Sequence, residues 1–187
     1  MPTARESLLD AAHEAVSTRP WTGVRMVELA ASAGVSRQTL YNEFGNKDGL
    51  GRALVHHRVE GFLRGAAAVA AQAVRGGADP PKGLAVAAGW MLRTIGGEPI
   101  VRCALTGCWT GRMPPAARGE PGTPQELADD LLRRLVAALA ADAARAEPLH
   151  LACDAGLRLA LSYVVVPVPG AEDEACTRIH DVTRALL

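Results

Sequence analysis

The residues best placed to do chemistry in this chain lie between Val27 and Leu50, and that chemistry is binding. Ser36 heads a short polar run, Arg37-Gln38-Thr39, with Asn42 a turn further on and Lys47 just beyond. A serine at such a position caps a helix. A capped helix N-terminus offers free N–H groups and a partial positive charge, which suits a phosphate. No catalytic constellation competes with it. The chain has no Ser/His/Asp arrangement, no phosphate-binding loop and no carboxylate pair in a predicted cleft, so no enzyme and no cofactor are expected. His56 and His57 are adjacent and point to different faces, which is a poor start for a metal site. The cysteines Cys103, Cys108, Cys153 and Cys176 contain no CxxC spacing, and no metal is expected.

The elements that must position Ser36 can be read on either side of it. Residues 25–33 predict a helix with Val27, Leu29 and Ala30 inward. Gly34 stops that helix, because glycine takes the left-handed conformation at no steric cost. Val35 returns to the core. The next helix carries Leu40, Tyr41 and Phe44 and ends at Gly45. Helix, glycine turn and helix at this spacing form a helix-turn-helix, with small Ala30 at the crossing and Val35 and Leu40 filling the wedge. Upstream, Thr3 and Glu6 match a capping box that opens a first helix, which ends at Ser17–Pro20. Trp21 follows and plugs a small core.

Downstream, Asn46 caps a long helix from Lys47 to about Val74. Further helices are expected over 81–95 and 99–110, with a loop at 114–122. Thr123-Pro124-Gln125-Glu126 combines a threonine cap, a proline at the first helical position and a glutamate at the third. Leu127, Leu131, Leu135 and Leu139 follow at every fourth residue. Pro148 opens another long helix, and an acidic start (Glu172, Asp173, Glu174) with a basic end (Arg184) marks the last one.

Composition agrees with an all-α chain. Of its 187 residues 49% are hydrophobic and only 4% aromatic; the apolar residues are mostly Ala, Leu and Val, of which Ala and Leu are strong helix formers. Net charge is zero. Residues 1–60 hold seven Lys/Arg and seven Asp/Glu, so a nucleic-acid site must use positioned cations instead of a basic blanket. No secretory signal is evident and no apolar stretch reaches a membrane span. A cytoplasmic protein with reduced thiols and no membrane association is expected.

The stretch Leu29-Ala30, Ala33-Gly34-Val35-Ser36, Thr39-Leu40-Tyr41, Phe44, Lys47 and Leu50 closely resembles the TetR family of bacterial repressors, over about residues 8–54. The resemblance implies a three-helix DNA-binding unit at 1–46, followed by a helical ligand-binding and dimerisation bundle at 47–187. It implies that Gln38, Thr39 and Asn42 read base edges, with Gln and Asn suited to adenine. Arg37 would reach a guanine or a phosphate, and Ser36, Tyr41 and Lys47 would fix the register on phosphates. Two positions depart from the family. Arg25 stands where a threonine is usual and can replace its phosphate contact. Glu43 stands where a histidine is common, and an acid there disfavours a close phosphate.

In the middle of the chain, Trp90, Met91, Cys103, Cys108, Trp109 and Met113 could line an apolar pocket, since Trp and Met suit such sites. Ordinary core is the competing reading for each. The family resemblance favours the pocket, with a small, largely apolar effector. The apolar 149–166 and 175–187 segments are expected to form a homodimer interface. Together these expectations describe a ligand-responsive repressor on a palindromic double-stranded DNA operator. A helical protein–protein interaction module is the alternative.

Overall fold

The computed structural model describes residues 2–114, 122–140, 146–167, 170 and 172–187. The described residues form helices and turns without a strand, as the sequence predicts. In order they are α1 (Ala4–Thr18), α2 (Met26–Ser32), α3 (Arg37–Phe44), α4 (Lys47–Arg75), α5 (Pro80–Gly96), α6 (Pro99–Thr106), α7 (Pro124–Leu139), α8 (Ala146–Val165) and α9 (Glu172–Ala185). A turn of 3-10 helix at Trp21–Gly23 joins α1 to α2.

Local chemistry sets most of the helix starts. Thr3 and Thr123 each close a full capping box, with Glu6 and Glu126 respectively. Ser36 and Asn46 accept from the backbone N–H groups of Thr39 and Gly49. Asp79 caps α5 by accepting from the Lys82 N–H, so that helix begins just before the expected Pro81. The helix expected over 99–110 stops at Thr106, because Gly107 turns left-handed at φ +70°. Cys108 and Trp109 therefore leave the helix that carries Cys103. The expected 114–122 loop lies largely outside the described residues.

Helices α1–α3 pack around Leu8, Ala12, Trp21, Leu29, Leu40 and Phe44, and α4 brings Leu50 and Leu54 into contact with them. Val27, expected to face inward, is 38% exposed; the short α2 buries only Leu29 and Ala30. At Gly49 a side chain would strike the Phe44 carbonyl oxygen, so α3 and α4 abut with no room between them.

Helix α4 has 29 residues, about 43 Å at 1.5 Å per residue. It runs from the small unit into the body. There α5 is flanked by α4 and α9, while α7 and α8 complete the bundle. Leu127, Leu131, Leu135 and Leu139 are all buried. At the α5–α8–α9 crossing, a Cβ on Gly156 would lie 2.6 Å from Leu84 and 2.8 Å from the Thr183 hydroxyl. No described helix is long and apolar enough to cross a membrane.

Candidate nucleic-acid interface

The exposed side of α3 is ordered by its own side chains. Ser36 Oγ accepts the Thr39 N–H at 3.0 Å and pairs with Thr39 Oγ1 at 2.9 Å. Gln38 Nε2 donates to Asn42 Oδ1 at 2.8 Å. That bond leaves the Gln38 carbonyl and the Asn42 amine free, an acceptor and a donor on one face. Leu40 and Phe44 anchor the opposite face in the core. Ser36, Arg37, Gln38 and Asn42 are exposed, Thr39 is half-buried, and Tyr41 is 48% exposed.

The flanking cations differ from one another. Arg25 caps α2 only through its backbone. Its side chain is 78% exposed and lies 4.0 Å from Glu28, whose other oxygen takes Arg19 at 2.7 Å. Arg25 is thus free to reach outward. Lys47 is half-buried: its amine donates to the Thr22 carbonyl at 3.3 Å and sits 5.3 Å from the Trp21 ring centroid.

One residue of this surface escaped the sequence reading. Arg5, in the first turn of α1, reaches Glu43 through its carbonyl at 3.4 Å and its carboxylate at 3.5 Å. Its guanidinium lies 4.7 Å from the Phe44 ring centroid. The acid that seemed out of place beside a phosphate therefore carries its own counter-charge. The two residues are 38 apart in sequence, and no local pattern links them.

The six proposed pocket residues do not converge. Trp90 stacks on Phe62, with centroids 5.5 Å apart, and borders a recess of 260 Å³ together with Arg58, Thr94 and Glu98. Cys103, Cys108 and Met113 border a different recess of 790 Å³, between α1, α6 and the end of α8. Met91 is fully buried in the core. Trp109 is half-buried and packs against the core without lining either recess. The described residues contain no group of three or more His, Cys, Asp or Glu able to hold a metal.

Comparison with known proteins bears on the first part of the chain most directly. Residues 8–54 match the family model of bacterial regulatory proteins, tetR family. Over 46 residues the chain is 48% identical to the HTH-type transcriptional regulator AlkX of Mycobacterium tuberculosis (strain ATCC 25618 / H37Rv); the match covers 25% of this chain and 22% of that protein. Two solved structures share the overall fold. The TetR family repressor AlkX from Dietzia sp. strain DQ12-45-1b, implicated in biodegradation of n-alkanes, superposes with a TM-score of 0.59 at 22% identity, over 98% of this chain and 95% of its own. A tetR-family transcriptional regulator from Streptomyces coelicolor gives 0.58 at 18% identity, over 100% and 80%.

Proposed function

We propose, from the match of residues 8–54 to the family model of bacterial regulatory proteins, tetR family, that the chain is a cytoplasmic DNA-binding transcriptional regulator of that family, a ligand-responsive repressor that holds a palindromic operator as a homodimer. The observation that carries the reading is the pre-ordered outer face of α3. Its N-terminus is capped by Ser36, its amides are fixed by the Gln38–Asn42 bond, and its inner face is locked by Leu40 and Phe44. Side chains already held in place lose little entropy on meeting base edges.

In this reading residues 1–46 are the DNA-binding unit and residues 47–187 the sensing and dimerising body. Gln38, Thr39 and Asn42 read bases, and Arg37 reaches a guanine or a phosphate. Arg25, Ser36, Tyr41 and Lys47 hold phosphates. Two copies place their α3 helices in successive major grooves, about 34–36 Å apart or somewhat more. The apolar residues left exposed on α8 and just beyond it (Leu151, Val165, Val166), and on α9 and its tail (Val182, Leu186), support a dimer formed there. The 790 Å³ recess, mostly apolar and placed between α1 and the body, suits a small, largely apolar effector. The alkane context of the Dietzia relative points the same way. Binding there would favour a body conformation with a different α3 separation, and its leverage is limited to its differential affinity for the two states.

Footprinting on the DNA flanking the gene, with the purified chain, tests the reading. The expected result is two protected half-sites per dimer, lost in the folded Tyr41→Ala/Lys47→Ala variant. Protection of a single half-site by a monomer overturns the operator model. Unchanged affinity in that double variant leaves the interaction-module alternative in its place.

A further inference from the structure

Gly107 ends α6 by turning left-handed at φ +70°, and the chain then doubles back. The Trp109 N–H donates to the Gly107 carbonyl at 3.1 Å, and the Met113 N–H to the Thr110 carbonyl at 3.0 Å. The Thr110 N–H meanwhile lies toward the sulfur of Cys103, on α6. Residues that would stand on different faces of one continuous helix therefore border a single cavity. Cys103, Cys108 and Met113 all line the 790 Å³ recess.

Two thiols and a thioether in one recess are a donor set for a soft metal ion. Such ligands select Cu(I) over the harder divalent cations. Zn(II) asks for four ligands, and among the described residues no third His, Cys, Asp or Glu joins the two thiols. A disulfide needs sulfurs about 2 Å apart, whereas an ion held between them spans a wider gap. Two thiolates and one Cu(I) carry a single net negative charge, and Arg102 and Arg112, which border the same recess, offset it. Burial holds the Cys103 thiol above its ordinary value, opposed by nearby Arg102 and the Thr110 N–H. The ion must therefore displace that proton. Each thiol releases one proton to solvent as its sulfur–metal bond forms.

We propose that Cys103, Cys108 and Met113 bind one Cu(I) ion, and that the bound ion fixes the 107–113 segment over Trp21. The Arg112 carbonyl of that segment accepts the Trp21 backbone N–H at 2.8 Å, and Val16 and Ser17 of α1 line the same recess. The site occupies the sulfur-bearing corner of the recess. It takes a different ligand from the apolar effector proposed above, and it stands without the regulator reading.

The test uses the full chain under anaerobic, reducing conditions, with Cu(I) shared against bathocuproine disulfonate. Wild type is expected to withdraw one Cu(I) per chain from the chelator. Cys108→Ser should lower the Cu(I) affinity by more than the roughly tenfold to hundredfold that loss of an outer partner costs. Met113→Leu should lower it less, because a thioether contributes no charge. Cys176→Ser, on α9 and outside this recess, should bind as wild type does. Cys108 is exposed, so its variant should fold, and circular dichroism establishes that all three do. Failure of wild type to compete with the chelator overturns the site, as does unchanged affinity in Cys108→Ser. Zn(II) that displaces the Cu(I) overturns the choice of ion. Hydrogen exchange followed by NMR reads the link to Trp21. The Trp21 amide should exchange at least about fivefold more slowly once Cu(I) is bound, in wild type but not in Cys108→Ser. Equal rates with and without the ion overturn that link. Failure to find an operator sinks the regulator reading and leaves each of these outcomes unchanged.

Discussion

The outer face of α3 offers hydrogen-bonding groups whose positions are set before any DNA arrives. Gln38 and Asn42 spend one group each on one another, which leaves the complementary pair available for the proposed base contact. In the proposed regulator Arg5 has a different task, shielding the Glu43 carboxylate that would otherwise face polyanionic DNA. An exposed pair of this kind contributes little to folding, about 0.2–1 kcal/mol. Its effect on DNA should be visible nonetheless. Arg5→Ala is expected to weaken operator binding by roughly twofold to fivefold, or about 0.5–1 kcal/mol. Adding Glu43→Gln to that variant should restore the affinity. Fluorescence anisotropy at low and moderate salt measures both; a double variant as weak as Arg5→Ala alone would show that the guanidinium contacts DNA directly.

Between elements, the joints are ionic where they are exposed and glycine-fitted where they are buried. Arg134 of α7 grips Glu60 of α4 with two parallel bonds of 2.8 and 2.9 Å. Those bonds hold the Glu60 carboxyl below its ordinary value of 4.5, and the guanidinium correspondingly above its own. The folded protein therefore binds the Glu60 proton more weakly than the unfolded chain does. This stabilisation is fully present above the ordinary value of 4.5 and is lost as pH falls through the lowered folded value. Glu60→Gln should accordingly be less stable than wild type near neutrality, and the difference should shrink in acid. Urea unfolding across that range tests it, and parallel stability curves would exclude the pair as a source of acid sensitivity. Such joints were not legible in the sequence, since Glu60 and Arg134 lie 74 residues apart and Arg58 and Glu98 lie 40 apart. The helix caps were legible, because Thr3, Ser36, Asn46 and Thr123 each meet a partner three residues on. Gly107 was the informative failure. Apolar residues on both sides masked a stop that depends on one backbone angle.

For the molecule as a whole, the four cysteines report on how the bundle opens. Cys108 is exposed, whereas Cys153 is fully buried in α8, and burial pushes its thiol up to about 12. Cys103 and Cys176 are also raised by burial. A thiol reagent at mildly alkaline pH should label Cys108 first and Cys153 last, with the Cys153 rate following global unfolding. Mass spectrometry over a labelling time course measures the order. Equal rates at the two sites would mean that α8 opens on its own. The all-α class was readable from composition and from one motif. The pocket was not, because Met91 turned inward to the core while Trp90 and Cys103 face separate recesses. Which way a side chain turns is decided by helix packing, and helix packing leaves no local signature.

The backbone N–H of Trp21 donates to the Arg112 carbonyl at 2.8 Å, and Gly51 of α4 is confined between the Trp21 ring and Pro114. The indole at the heart of the small unit is thus roofed by a segment that arrives from far along the chain. The α1–α3 unit is consequently not a portable cartridge. Grafting residues 1–46 onto the body of a different protein would strip the cover from the Trp21 ring and leave the Trp21 backbone N–H without an acceptor. A chimera meant to redirect this specificity must carry the 107–114 segment with it, or exchange only the outward side chains of α3 and leave the seam intact.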